Sequence, residues 1–267
     1  MSLIDRVAIV AGASGGIGAA TVRAFLAAGM RVVLAAPDDE LLAALAAELV
    51  PYGDWVRVVP TDITRREQID ALVDATLAAF GRIDVLANIA GVSAGPSLAE
   101  ATDAEIERVL AVNLLGAART MHAVLPAMRA QRSGAIINVG SIAGEIAIMG
   151  IYSGSKFGLR GLTDSVRREL RSEGIGVTLI EPGFVDTPMN VGMTKLPSPD
   201  IVARAIVRAV RRPRRRVIVP RRYLLALLFF KLSPHFTDLV FGDARVQRRL
   251  NQPIREARAA AQAAAER

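Results

Sequence analysis

Residues 7–18 read VAIVAGASGGIG, and this stretch decides how the rest of the chain folds. An apolar run ends at Ala11 and a helical pattern begins at Gly16, so the sequence predicts a strand, a Gly-rich turn and a helix. This combination opens a dinucleotide-binding βαβ unit, in which the helix N-terminus offers free N–H groups and a partial positive charge to phosphates. We therefore expect a dinucleotide at this turn.

Three glycines of the turn have different predicted tasks. Gly12 takes the sharp turn off the strand, Gly16 lets a pyrophosphate approach the backbone, and Gly18 lets the helix lie close to the sheet. Their spacing differs from the common Rossmann fingerprint, so the turn is a variant of it. The alternative is a Gly-rich turn that binds no ligand.

Composition limits the classes of protein that remain. Of 267 residues 52% are hydrophobic, which is ample for a large core. The absence of cysteine excludes a disulfide framework and Cys-ligated metal, and the two histidines, His122 and His235, lie far apart, so no metal site is expected. Asp5 and Arg6 interrupt any apolar leader at the N-terminus, and we expect a cytoplasmic protein.

Charge divides the chain into an acidic body and a basic tail. Residues 204–267 carry 16 Arg and Lys against four acids, a net charge of +12, whereas residues 1–203 carry 17 against 22, a net charge of −5. An anionic partner would therefore act on the tail.

Strand and helix patterns alternate along the chain up to residue 220. Near-continuous apolar strands are typical of a parallel sheet buried on both faces, so we expect one Rossmann-type, doubly wound α/β domain over residues 1–220 and a helical C-terminal extension over 221–267. The predicted strands are 7–11, 31–36, 55–60, 84–88, 135–139, 176–181 and 216–219. The predicted helices are 16–28, 40–49, 65–80, 103–110, 114–130, 152–172 and 198–211.

Ligands of such a sheet bind beyond the carboxyl ends of its strands. After the Gly-rich turn, the polar residues that follow strands are Asp62, Asn88, Ser141 and the run 182–187. Asp62 has the position to bond an adenine amino group. Alternatively, Asp62 caps the helix near Arg65, and Thr187 caps a short helix that begins at Pro188.

Tyr152 and Lys156 form the most specific pair of candidate catalytic residues in the sequence. Four positions apart on a helix, they share one face. A phenol titrates near 10, and a nearby ammonium is expected to lower this pKa so that the tyrosine exchanges a proton with a carbonyl or alcohol oxygen. Ser141 would hold the same oxygen by a hydrogen bond. Taken alone, Tyr152 reads as a packed aromatic and Ser141 as a turn residue.

Five motifs together resemble the short-chain dehydrogenases/reductases: AGASGGIG at 11–18, NIAG at 88–91, Ser141, YSGSK at 152–156 and PGFVDT at 182–187. The likeness covers about residues 5–220 and implies hydride transfer between a nicotinamide and an alcohol or ketone, without metal. It implies a catalytic group of Asn113, Ser141, Tyr152 and Lys156. It also implies cofactor contacts from Gly12, Ser14, Gly16, Ile17, Gly18, Asp62, Ile63, Asn88, Ala90, Gly91, Tyr152, Lys156, Pro182, Gly183, Val185 and Thr187.

The resemblance also implies individual roles. Asn113, within VNLLG, would hold a water for a proton relay through Lys156, which would bond the nicotinamide ribose. Val185 and Thr187 would contact the carboxamide, and Asn88 would steady the central strand. For Asn113 the alternative is an ordinary hydrogen-bonded polar residue near a helix start. The family implies a homodimer or homotetramer through the helices around 114–130 and 152–172.

The sequence departs from the family pattern in three places. Ile89 replaces the second Asn of NNAG, and only 11 positions separate Ser141 from Tyr152, which shortens the loop beside the substrate. At the end of the second strand, Ala36 stands where NAD enzymes carry an acid. Arginine, typical of NADP enzymes, is absent at Pro37, Ser14 and Gly15. The cofactor is NADP or NAD with a lean to NADP, although Asp38 or Asp39 reaching the ribose would favour NAD.

Two further segments bear on partners. The loop 189–197 holds Met189, Val191, Met193 and Leu196, which favours an apolar small-molecule substrate such as a steroid, a retinoid-like or a long-chain carbonyl compound.

In the tail, seven arginines within 211–222 precede the apolar run 224–230, which is far shorter than the about 18 residues of a membrane span. This segment, 211–232, either makes peripheral membrane contact or packs on the domain or a subunit contact, and no nucleic-acid motif is present. The rival to an enzyme is a non-catalytic cofactor-binding or scaffold protein that retains the fold.

Overall fold

A computed structural model describes residues 2–37, 39–93, 97–190, 193–243, 245–248, 252, 255 and 256. Its centre is a parallel sheet of seven strands in the order β3-β2-β1-β4-β5-β6-β7. The strands are β1 (Val7–Ala11), β2 (Arg31–Ala35), β3 (Val56–Val58), β4 (Val85–Asn88), β5 (Gly134–Val139), β6 (Ile175–Pro182) and β7 (Arg216–Val219). The predicted fold class is confirmed.

Ten α-helices occur in the described residues, and the long ones cover both faces of the sheet. They are α1 (Gly16–Ala27), α2 (Asp39–Glu48), α3 (Arg66–Phe80), α4 (Asp103–Leu110), α5 (Ala117–Gln131), α6 (Ala143–Ile146), α7 (Gly150–Glu169), α8 (Asp200–Arg211), α9 (Tyr223–Leu232) and α10 (Pro234–Gly242).

The period-two alternation of each strand separates two cores. Ala8 and Val10 of β1 face a cluster with residues of α1, α2 and α8, such as Phe25. Ile9, between them, faces the cluster with residues of α3, α5 and α7, such as Met121. The sheet is therefore buried on both sides, which explains its continuous apolar strands.

Chain order reverses at the centre of the sheet, where β1 lies between β2 and β4. The register pairs Ala11 with Ala35 on one side and with Asn88 on the other, and Asn88 in turn pairs with Asn138. The turns after these strands therefore open on one edge, at the switch point where ligands of such sheets bind.

The structure differs from the predicted elements mainly at their ends. β3 is shorter than predicted because it is an edge strand that pairs only with β2 and leaves Val58 exposed. The predicted helix 114–130 begins instead as a π-helical turn, Ala111–Gly116, that joins α4 to α5. The short α6 within the loop after Ser141 was not predicted.

The beginning of the tail packs on the domain. Leu227 and Tyr223 of α9 contact Ile142, which follows β5, and Ile218 of β7. The prediction of a helix packed on the domain's own surface thus holds for one side of α9. The boundary at residue 220 stays a prediction.

Among the described residues, one helical run is long and apolar enough to cross a membrane by length and composition, Asp103–Gln131. This run comprises α4, the π-helical turn and α5, and it packs against α3, α7 and two central strands, as a core helix does. The pair α9 and α10 passes the same test only when joined, across a bend of 111°.

Candidate active site

A cleft of about 940 Å³ lies at the carboxyl ends of the central strands. It brings together sixteen of the residues singled out from the sequence. They are Gly12, Ser14, Gly16, Ile17, Gly18, Asp62, Ile63, Ala90, Gly91, Ser141, Tyr152, Lys156, Pro182, Gly183, Val185 and Thr187. Asn88 and Asn113 do not line it.

Steric contacts explain two of the glycines in the first turn. Gly12 has a φ of +88°, and a Cβ there would stand 2.5 Å from the backbone N of Ala90. A Cβ at Gly18 would stand 1.9 Å from the carbonyl oxygen of Gly12. Both positions therefore exclude a side chain, as the predicted sharp turn and close helix require.

The N-terminus of α1 fits a phosphate group. Its N-cap, Gly15, makes no side-chain hydrogen bond, and the first turn carries no acid. The first N–H groups of the helix therefore lack a side-chain cap and stay available to an anion, with the helix dipole adding to the attraction. A Cβ at Gly16 would stand 2.9 Å from Cγ2 of Thr187, so the turn and the loop after β6 approach each other closely across the cleft.

Tyr152 and Lys156 lie on the first turns of α7, and both are buried. The Lys156 Nζ atom donates a hydrogen bond of 3.0 Å to the carbonyl of Val139, at the end of β5. It lies 5.7 Å from the centre of the Tyr152 ring. A Cβ at Gly91 would stand 3.3 Å from Nζ, so the glycine keeps the space beside the ammonium open.

Burial shifts both groups toward their neutral forms. It raises the pKa of Tyr152, an effect that a hydrogen bond with Ser141 only partly offsets. It lowers the pKa of Lys156 to about 8. In the protein by itself the net shift of the Tyr152 pKa is therefore upward, because desolvation penalises the phenolate. The expected lowering of this pKa by the Lys156 ammonium stays a prediction.

Asn113 lies in the π-helical turn beneath the cleft. Its Oδ1 accepts from the Val92 N–H at 2.8 Å, and its Nδ2 donates to the Val92 carbonyl at 2.8 Å and to Ser155 Oγ at 3.0 Å. The side chain thus ties the loop after β4 to α7. This is the hydrogen-bonded polar residue of the alternative interpretation, and both amide hydrogens are in use.

Asn88 is buried below the cleft floor. Its Nδ2 donates to Asn138 Oδ1 at 3.0 Å, and its Oδ1 accepts from Thr120 Oγ1 at 2.7 Å. These bonds join β4 to β5 and α5, which agrees with the expected role of steadying the central strand. The structure gives no cofactor contact to this side chain, because it does not reach the cleft.

Asp62 and Thr187 keep their side chains on local partners. Asp62 Oδ1 accepts from the N–H and the hydroxyl of Thr64, each at 2.8 Å, so it closes a turn, and α3 has no side-chain cap. The Thr187 hydroxyl donates to the Val185 carbonyl at 3.5 Å, just before a short 3₁₀ turn, Pro188–Asn190.

Among the described side chains, neither an acid nor a cation lines the cleft at the end of β2, where Ala36 and Pro37 lie. Asp38 lies outside the described residues, and the Asp39 side chain is likewise not described. The preference for NADP or NAD at this position therefore stays a prediction.

Four cleft residues were not singled out from the sequence. Ile148 and Met149 add apolar surface, next to Phe184 of the predicted run 182–187, and Glu105 and Arg108 of α4 add charge. Ile148 and Met149 lie within four positions of Tyr152 and were open to detection, whereas α4 reaches the cleft only through tertiary packing. Of the predicted substrate loop, Met189 and Met193 line the cleft, Leu196 does not, and Val191 lies outside the described residues.

Glu145, which the sequence analysis also missed, holds the loop between Ser141 and Tyr152. Its buried carboxylate forms ion pairs with Arg160 Nη1 at 2.8 Å, with Arg216 Nη1 at 2.7 Å and with Lys231 Nζ. These cations come from α7, β7 and α9. Cations of three other elements thus converge on Glu145, four positions after Ser141.

Comparison of the sequence with those of known proteins identifies a family and several relatives. The family model for short chain dehydrogenases matches residues 6–196. An uncharacterized oxidoreductase of Staphylococcus saprophyticus is 37% identical over 222 residues, covering 80% of this chain and 94% of that protein. One from Staphylococcus haemolyticus is 36% identical over 217 residues, covering 79% and 93%.

Solved structures agree with the sequence relatives. A short chain dehydrogenase/reductase from Burkholderia phymatum in complex with NAD has a TM-score of 0.82 and 28% identity, covering 88% of this chain and 96% of that one. A 3-ketoacyl-(acyl-carrier-protein) reductase from Brucella melitensis complexed with NADH has a TM-score of 0.76 and 25% identity, covering 82% and 98%.

Proposed function

Because the chain belongs to the short-chain dehydrogenase/reductase family, we propose that it transfers a hydride between a nicotinamide cofactor and a secondary alcohol or ketone. The observation that carries the proposal is one cleft in which Ser141, Tyr152 and Lys156 stand beside the uncapped N-terminus of α1.

Tyr152 is the proposed general acid/base, which gives a proton to a carbonyl oxygen in reduction and takes it back in oxidation. Ser141 holds the same oxygen, and its hydrogen bond already favours the phenolate. The dinucleotide supplies the hydride exchange and, when oxidised, a positive ring that favours the phenolate further.

Lys156 tunes the phenol and bonds the nicotinamide ribose in this proposal. With a pKa of about 8 it carries its charge at neutral pH, despite complete burial. Asn113 supports the proton relay by fixing the π-helical turn and the loop after β4.

For the cofactor we propose NADP over NAD. Ala36 and Pro37 place no carboxylate against a 2′-phosphate, although they offer it no cation either. NAD is the second candidate, since the two structural relatives named above hold NAD or NADH.

The proposed substrate is lipophilic. The substrate end of the cleft is lined by Ile148, Met149, Phe184, Met189 and Met193, whose burial an apolar ligand would complete. Among the described residues, four charged side chains line the whole cleft. Lys156 and Asp62 belong to its inner part, and Glu105 and Arg108 to the substrate end.

A homodimer or homotetramer in the cytoplasm is also part of the proposal. Phe157 of α7 and Leu115 of the π-helical turn are exposed, and Gly154 and Gly161 on α7 have no atoms near the position of a Cβ. A second copy could therefore approach this helix closely.

The test compares wild type with Tyr152→Phe and with Tyr52→Phe, an exposed tyrosine as control. Cofactor absorbance is followed with a panel of ketones and alcohols, and NADP and NAD binding is titrated by fluorescence. Tyr152→Phe should lose about 100-fold or more in turnover while still binding the dinucleotide, and Tyr52→Phe should match wild type.

Unchanged turnover in Tyr152→Phe would contradict the mechanism. A wild-type protein that binds dinucleotide but turns over nothing in the panel would favour the scaffold rival. Tighter NAD than NADP binding would reverse the cofactor proposal.

A further inference from the structure

The two sides of α9 meet different surroundings. On the inner side, Tyr223, Leu227 and Lys231 recur every fourth residue; Leu227 is buried and Lys231 pairs with Glu145. The Tyr223 ring covers Gly183, where a Cβ would stand 2.1 Å from a ring carbon. This side fixes the helix to the back of the cleft wall.

The outer side is apolar and open to water. Leu225 and Leu232 are 79% and 76% exposed, and Leu228 and Phe229 are about half exposed. Lys231 is the only charged residue of α9, and it faces the domain. Water therefore meets a continuous apolar strip, which soluble surfaces rarely show unless something binds there.

The next helix extends this strip. Phe229 and Phe236 pack edge to face with ring centres 5.0 Å apart, and Phe230 lies 5.2 Å from Phe241. Leu239 of α10 is also exposed. The two helices form a hairpin, α9–α10, with exposed apolar residues on both arms.

The hairpin is built to lie along a surface. At 1.5 Å per residue, helices of ten and nine residues are each about 15 Å long, half the about 30 Å core of a bilayer. The bend of 111° and the fixed inner side of α9 also prevent a straight crossing.

Two exposed arginines stand at the start of the hairpin. Arg221 and Arg222 form no ion pair with an acid in the part of the chain that the structure describes, and the Arg222 guanidinium lies 5.5 Å from the centre of the Tyr223 ring. Arg211, Arg212 and Arg214 are also exposed, but they precede β7 and lie at the opposite edge of the sheet. By contrast, Arg215 pairs with Asp164 and Arg216 with Glu145.

We propose that the α9–α10 hairpin and its arginines dock the protein on an anionic lipid bilayer, with the apolar strip at the level of the headgroups and acyl chains. Apolar burial and attraction of Arg to anionic lipid act together at such a surface. A second copy of the chain fits less well, because a symmetric contact would bring the exposed Arg221 and Arg222 of both copies together. The proposal does not depend on the reaction at the cleft.

The experiment measures flotation of the full chain with vesicles of phosphatidylcholine alone or mixed with phosphatidylglycerol. Leu225→Glu with Leu232→Glu tests the strip, and Arg221→Gln with Arg222→Gln tests the charge. Val50→Glu, at a 72% exposed apolar residue far from the tail, is the matched control. Thermal unfolding verifies that each variant is folded.

Wild type and Val50→Glu should bind the mixed vesicles and bind phosphatidylcholine weakly. The leucine pair should lose at least tenfold in binding, and the arginine pair roughly thirtyfold, given about 1 kcal/mol for each Arg near the surface. Equal binding to both vesicle types, no binding at all, or unchanged binding by the folded leucine variant would overturn the proposal. So would a leucine variant that changes only the oligomer size in light scattering.

Discussion

The turn after β1 and the loop between Ser141 and Tyr152 both shape the cleft, but they are held by different forces. In the turn, contacts with the backbone of the turn itself and of the loop after β4 exclude a side chain at Gly12 and at Gly18. In the loop, Glu145 forms ion pairs with side chains of three other elements. The most distant in sequence, Lys231, is 86 positions away. One region is fixed by local sterics and the other by charges that meet only in the folded chain.

Because different forces hold the two regions, we expect substitutions in the turn and in the loop to change the stability of the protein by different amounts. Backbone contacts cannot move without moving the strand, whereas Arg160, Arg216 and Lys231 are partly exposed and keep access to water when their partner is lost. We therefore expect steric changes in the turn to destabilise the protein more than charge changes in the loop.

The largest effect is expected for Gly18→Ala. The new Cβ would overlap the Gly12 carbonyl oxygen at 1.9 Å, so the turn or α1 must shift. We expect a loss of about 3 kcal/mol, at the upper end for overpacking, and a fall in melting temperature of about 6 °C or more.

Thermal unfolding without cofactor checks this, with Gly15→Ala as the matched control. A Cβ at Gly15 would meet the same carbonyl oxygen at an ordinary 3.6 Å, so that variant should unfold as wild type does. Equal stability of the two variants would show that sterics do not hold the turn.

A smaller effect is expected for Glu145→Gln. It removes the charge that three cations share, and we expect a loss of about 2 kcal/mol, below the range for a fully buried pair because the cations reach solvent. Turnover should fall as well, since the loop carries Ser141. Denaturant unfolding gives the stability, and the ketone assay gives the activity.

Glu48→Gln is the control for this change, because Glu48 pairs with Arg23 on the surface at 2.6 Å. Water and salt screen an exposed pair, so Glu48→Gln should unfold close to wild type. If both glutamine variants lose the same stability, the convergence on Glu145 has no special part in holding the loop.

The smallest effect, of opposite sign, is expected for Glu181→Gln at the end of β6. Burial raises the pKa of Glu181 to about 7, although Arg216 and Arg160 act to lower it. A raised carboxyl pKa contributes stability below the unfolded value of about 4.5 that is lost as pH rises through about 7.

The amide does not titrate, so Glu181→Gln should lie close to wild type near pH 5 and exceed it at pH 8, where wild type carries a buried carboxylate. Unfolding curves at the two pH values measure the difference. A variant less stable than wild type at pH 8 would mean that the Arg216 ion pair outweighs the burial of the charge.

Much of the fold was predictable because its signals are local. The apolar strands and the glycines at 12–18 stand next to each other in the chain, and their predicted order is the order in the structure. The π-helical turn at Asn113 escaped prediction because its side-chain bonds go to Val92 and Ser155, not to sequence neighbours.

The site was predictable to the extent that its residues follow strands. Asn88 shows the limit: the position follows from β4, but its side chain points to Asn138 and Thr120 instead of the cleft. The pKa of Tyr152 shows a second limit. Desolvation depends on which residues bury the phenol, and the i,i+4 spacing to Lys156 does not reveal how deeply the ring is buried.

By itself, the sequence determined the doubly wound sheet, the glycine turn and the meeting of Ser141, Tyr152 and Lys156 at one edge, because periodicity and parallel topology bring strand ends together. Only the tertiary structure decided that burial governs both titrating groups, that Glu145 joins the tail to the catalytic loop, and that α9 packs one side and exposes the other. Desolvation and long-range ion pairs depend on which distant residues become neighbours, and a linear pattern does not contain that information.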